Sequence, residues 1–344
     1  MPTAAAIAIV GLDIAGVSMS ERNRLLRSIA TTIEDYQAGT LPTPTPEHVE
    51  KWVSQFNQAS QLPILSEINH VLEKTYFSKI RVRGILRGLI HHPGWTAGNP
   101  HAFWRQMNFL NMQPRGNSQR ELLAIFDKRL NKECGFSIND CAQGNKFFYL
   151  DDGLFSGGRI GTDLENWIIG QAPQNAELMI AVIALHTQGH YFTDRSLKSA
   201  IARSGKNISL SWAHYIAIED GLFKVDYSDV LRPTTPGADP AVTAYIAQLG
   251  KPQTWRTGTS VGPKQFFSSN EGREVLEQEF LKKGVEVRAM CPYLNVHQRP
   301  LGNTTMRTFG FGTLFATYRN CPNNAPLVLW AGDPWYPLLP RITN

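Results

Sequence analysis

The chain has 344 residues, of which 42% are hydrophobic and 18% charged, and its formal net charge is +5. That balance supplies a sizeable core and excludes a largely disordered, polyelectrolyte-like chain. The mild basic surplus favours anionic ligands without amounting to a polybasic tail, and no apolar run approaches the roughly 18 residues of a membrane-spanning helix.

Residues 4–12 are apolar and read as a strand ending at Asp13, followed by a helix capped by Ser20 and running to Tyr36. This pair, within residues 1–40, is expected as an N-terminal extension. The proline-rich stretch 41–46 is a stiff connector, in which Thr45 suits an N-cap and Pro46 the first helical position. Residues 47–105 form a mainly helical region, where Trp52, Phe56, Leu65, Ile68, Val71, Leu72 and Tyr76 supply an apolar stripe. Lys79, Arg81, Arg83 and Arg87 cluster ahead of His91 and His92. They are expected as a solvated helix face.

An α/β domain is expected over 106–344. It opens with a strand–loop–helix at 107–123, where Ser118 and Glu121 have the spacing of a capping box. Arg115 and Gly116, in the loop, suit a second anion such as a pyrophosphate.

The most informative stretch is Lys146-Phe-Phe-Tyr-Leu-Asp-Asp-Gly-Leu-Phe-Ser-Gly-Gly-Arg159. Four apolar residues, 147–150, read as a buried strand. Asp151 and Asp152 follow, then a loop containing Ser156, Gly157 and Gly158, then a helix over 160–169. Glycines let backbone N–H groups approach an anion. A helix N-terminus offers unpaired N–H groups and a partial positive charge. Adjacent carboxylates can bind vicinal sugar hydroxyls or sit near magnesium. A ribose 5-phosphate satisfies all of these groups together.

Beyond the loop, 178–185 is an apolar run followed by His186 and His190, a pair expected to be structural. Residues 195–203 look helical and 207–218 extended. A loop spans 234–240. Asn270 is expected to cap a helix ended by Gly284, with a strand over 285–290. Residues 311–318 and 326–330 read as a final strand pair. Arg299, Arg319 and Arg341 are candidate anion-site cations, though surface or structural pairing serves each as well. Asp163 and Glu165 would be needed for a metal-dependent nuclease. Cys134, Cys141, Cys291 and Cys321 form no CxxC and read as free thiols of the cytoplasm. Strands alternating with helices indicate a mainly parallel sheet.

The 146–159 run closely resembles the phosphoribosyl-pyrophosphate (PRPP) loop of type I phosphoribosyltransferases. Asp151 and Asp152 match its ribose-contacting acids, and Ser156, Gly157 and Gly158 match its phosphate turn. Arg159 replaces the usual hydroxyl residue with a cation. Farther on, 291–295, 299–302, 318–330 and 335–341 look like blocks of a divergent phosphoribosyltransferase-like family of bacterial conflict systems, PRTase-CE. The resemblance covers residues 47–341. It implies a type I phosphoribosyltransferase-like α/β fold with helices flanking the sheet. It also implies PRPP or a nucleotide-like molecule as substrate, with Mg2+ carried on its phosphates and no dedicated protein metal site. C1-ribosyl transfer or hydrolysis, in an antiphage effector, is the implied activity. A non-catalytic nucleotide-sensing or nucleic-acid-binding module is the alternative. Members similar to retron effectors imply a reverse transcriptase and its RNA–DNA product as partners. No membrane is expected, and an oligomer is compatible with these features.

Overall fold

A computed structural model describes residues 13–112, 117–141 and 144–341. The expected strand at 4–12 lies outside them. Helix α1 (Asp13–Thr32) already contains Ser20, so that serine is not the cap. Serine inside a helix carries only a mild propensity penalty. Helix α2 (Pro46–Val53) begins where the connector predicts: the Thr45 hydroxyl accepts from the His48 amide at 3.3 Å, with Pro46 in the first turn. Next come α3 (Gln58–Thr75), a two-residue strand β1 (Tyr76–Phe77), α4 (Lys79–Ile90), and the short helices α5 (Pro93–Thr96) and α6 (Pro100–Arg105). Every residue of the predicted apolar stripe is buried.

The central sheet contains β2 (Met107–Phe109), β3 (Lys146–Leu154), β4 (Asn175–His186) and β5 (Asn207–Ile218) in that spatial order, all parallel. The connections are α7 (Asn117–Cys134), α8 (Gly158–Gly170) and α9 (Thr187–Ser204). Strand β4 is buried on both faces over most of its length, as a central parallel strand must be. Strand β5 is the edge and is half-exposed.

The helices divide between the two faces. Phe148, Leu150, Met179 and Ala181 share a core with Leu122, Phe126 and Leu130 of α7 and with the N-terminal helices. Tyr149, Leu178, Ile180 and Val182 face a second core with Leu164, Trp167 and Leu197 of α8 and α9. The chain therefore crosses one face between β2 and β3, and the other face between β3 and β4. Such a change of side opens a crevice at the carboxyl ends of the strands. The molecule is an α/β fold with a parallel sheet flanked by helices and a helical N-terminal region.

The C-terminal third departs from the expected strands. After α10 (Pro240–Gln248), helix α11 (Asn270–Met290) continues through Gly284 and the predicted strand at 285–290, and its N-cap is Ser269. Gly284 packs rather than terminates: a Cβ there would lie 2.8 Å from the Pro300 carbonyl oxygen. A small hairpin pairs β6 (Gln298–Arg299) with β7 (Gly302–Asn303). Within 311–318 the one ladder is β8 (Ala316–Thr317), parallel to β1. Gly310 and Gly312, both at positive φ and pressed against Leu301 and Leu231, interrupt anything longer. Residues 326–330 form a helical turn, α12 (Leu327–Trp330), instead of a strand. Short, wholly buried apolar runs carry no period that separates helix from strand. The segment packs back on the N-terminal helices, where the Trp52 and Trp335 indoles both donate to the Val328 carbonyl.

Candidate functional site

Strand β3 extends to Leu154, so the two acids occupy its last turns of pleat instead of following it. Alternation sends adjacent side chains to opposite faces. Asp151, 5% exposed, lies on the α8 side: its carboxylate accepts from the Tyr149 hydroxyl at 3.2 Å and from the Asp152 amide at 2.9 Å. Asp152 is more open and lies 3.9 Å from an Arg319 guanidinium nitrogen. Arg319 also donates through Nε to Glu121 of α7. Burial alone would lower the Arg319 pKa, but the Glu121 hydrogen bond and the Asp152 charge outweigh it and raise it. The two carboxylates are thus held in different settings, one buried and hydrogen-bonded, the other beside a fixed cation.

The glycine loop follows directly. Gly157 has φ +76 and is the N-cap of α8. A Cβ at Gly157 would sit 1.7 Å from the Thr193 hydroxyl oxygen, and one at Gly189 would sit 1.7 Å from the Phe155 carbonyl oxygen. The loop is therefore pressed onto the first turns of α9. Ser156 accepts from the Gly158 amide at 3.4 Å and remains exposed, as do Gly158 and Arg159. The first turn of α8 consequently opens toward solvent at the carboxyl end of β3, the arrangement that attracts an anion.

His186 supports the loop from behind. It is fully buried; its Nδ1 donates to the Leu154 carbonyl and its Nε2 accepts from the Thr313 hydroxyl, each at 3.1 Å. Phe155 lies against its ring, with centroids 5.0 Å apart. His190 faces Trp212 edge-on. Neither histidine is a candidate acid–base group on this geometry.

Asp151, Asp152, Ser156, Gly157, Gly158 and Arg159 thus share one loop and strand end. Arg115 and Gly116 lie outside the described residues, as does the Ser118 side chain; α7 itself begins at Asn117. Of the three C-terminal arginines, Arg319 reaches the acids. Arg299 donates to the Thr308 carbonyl, and Arg341 lies over the Trp330 ring. Glu165 accepts from Ser196 of α9 and pairs with Arg203. Among the described residues no group of three His, Cys, Asp or Glu side chains is placed to hold a metal. Sequence reasoning missed Gly189 and Thr193, which seat the loop; a glycine inside a helical pattern was the available signal.

The model of the PRTase-CE family matches residues 49–341. No curated protein and no solved structure matches the chain. Among the described residues no helix is long and apolar enough to cross a membrane. With the match spanning most of its length, the chain belongs to the PRTase-CE family.

Proposed function

We propose that this protein acts at C1 of a phosphoribosyl donor or nucleotide, transferring or hydrolysing the ribosyl group. The observation that supports this reading is the open first turn of α8, fronted by Gly157, at the end of the strand that carries Asp151 and Asp152, where the connections of a parallel sheet change face. The 5-phosphate would take the amides of Gly158 and Arg159, the Ser156 hydroxyl and the Arg159 charge. Asp152 would accept from a ribose hydroxyl, with Arg319 fixing its carboxylate. Asp151, tied to Tyr149, holds the strand end in place. Breaking the C1 bond builds positive charge on the ribose, which nearby carboxylates favour, and negative charge on the leaving group. Magnesium on the donor's phosphates would stabilise the latter. Transfer to water would deplete a nucleotide, the outcome suited to a defence effector.

The test is a product assay. Wild type and an Asp151→Ala/Asp152→Ala variant are incubated with magnesium, PRPP and a nucleotide mixture, then profiled by mass spectrometry. Loss of one compound in the wild type alone is expected. Equal activity in the folded double variant would overturn the mechanism.

A further inference from the structure

The chain's basic surplus is concentrated in one place. Helices α4 and α7 carry eight basic residues against three acids, a surplus of five. That equals the net charge of the entire chain, so the remainder is balanced. The two helices lie side by side, joined where Arg87, His91 and Arg129 converge on Glu133.

On α4 and at its C-cap, Lys79, Arg83, Arg87 and His91 recur every fourth residue, and all four are exposed. Their spacing along the axis is about 6 Å per step, similar to that of successive phosphates on an extended strand. Among the described residues Lys79 and Arg83 make no ion pair. The stripe leads toward the candidate site: the Lys79 ammonium lies 5.8 Å from the Tyr318 ring centre, the Arg83 charge is felt by that phenol, and Arg319 follows in sequence.

Beside the cations run Gly84 and Gly88, where an added Cβ would meet nothing within 4 Å. They form the rim of an apolar cleft of about 440 Å³ between α4 and the sheet, walled by Leu150, Ile183, Ala213 and half-exposed Tyr215. His92 lines the same cleft, and its Nδ1 is buried with no hydrogen-bond partner. Cations, a bare glycine rim and an apolar trough therefore lie in parallel.

We infer that α4 and this cleft bind a single strand of nucleic acid. Phosphates would lie on Lys79, Arg83, Arg87 and His91. The sugars would cross the glycines, and unpaired bases would enter the cleft against Tyr215. A duplex cannot present its bases this way. An anionic membrane would need apolar side chains projecting outward, whereas here most of the apolar surface is recessed. The inference is independent of the ribosyl reading.

Fluorescence anisotropy of the full chain with a labelled oligothymidylate tests it. Binding should weaken with salt, with a log–log slope of about 2 for the three Lys and Arg contacts at roughly 0.7 each. Lys79→Ala/Arg83→Ala should lower the slope by about 1.4 and cut affinity on the order of tenfold. Gly88→Leu, which enters open space and suits a helix, should weaken binding on the order of tenfold at unchanged slope. No binding by the wild type, or wild-type binding by both variants, would overturn the inference. So would duplex competing as well as single strand, or anionic vesicles binding through these residues in place of the oligonucleotide. The readout needs no turnover, so this inference and the ribosyl mechanism fail separately.

Discussion

His186 shows how a single buried group supports the site. Desolvation holds its pKa below the ordinary 6.5, while Asp220 and the Leu154 hydrogen bond oppose this. A carbonyl can only accept, so Nδ1 carries the proton and Nε2 takes the Thr313 hydroxyl. In the unfolded chain the ring protonates around pH 6.5, whereas in the folded chain it does so only at lower pH. Its stabilising contribution is therefore complete above that value and is lost as pH falls through the folded pKa. Histidine nitrogen NMR should report a ring that protonates at lower pH than an unfolded reference histidine and, while neutral, carries its proton on Nδ1. Protonation at the same pH as the reference, or above it, would contradict this account.

The acids themselves were legible because they follow an apolar tetrad and precede a glycine loop. Their different roles were not. Tyr149 contacts Asp151 through strand alternation, a local pattern, but Arg319 meets Asp152 across a long sequence separation that no periodicity encodes. Arg319 stood among three equivalent arginines until the fold selected it.

At the scale of elements, the β3–loop–α8 unit depends on a glycine for two separate reasons. Gly157 needs a left-handed backbone and has no room for a Cβ beside Thr193. Gly157→Ala should cost about 2–4 kcal/mol, combining left-handed strain with overpacking. Adding Thr193→Ala should recover only the collision, as urea denaturation of both variants would show. Full stability of Gly157→Ala would mean that the loop is not seated as described.

The elements that sequence reasoning placed well have strong local signals. Thr45-Pro46 started α2, and residues 207–218 matched β5. Those it misplaced are buried and short. Gly284 reads as a stop because glycine commonly ends helices, but here the close approach of the Pro300 backbone requires it. The turn at 327–330 and the interrupted 311–318 segment are set by tertiary contacts alone.

Across the whole molecule, the C-terminal third is held by a buried charge network. Glu277 of α11 is inaccessible and accepts from the Arg232 amide at 2.8 Å, Arg256 Nε at 3.2 Å and Arg273 at 2.5 Å. Arg256 in turn donates to the Ser228 and Val230 carbonyls. Glu277→Ala strands two buried guanidinium groups and should cost about 3–5 kcal/mol. Glu277→Gln, which keeps an acceptor, should cost less. Thermal denaturation would rank the two, and equal stability of both with wild type would show that the network contributes nothing.

The same C-terminal segment delivers Arg319 to the sheet, so the packing of the whole chain and the chemistry of the acid pair are linked. The central claim is that the first turn of α8 and the acids of β3 receive a ribose 5-phosphate. Its most direct test is amide NMR of the labelled 38.5 kDa protein during titration with that compound. The account predicts saturable shifts at Gly158, Arg159 and Ile160, together with Asp152, and weaker responses to ribose or inorganic phosphate alone. Saturation with those amides unmoved, or equal shifts from phosphate alone, would contradict it.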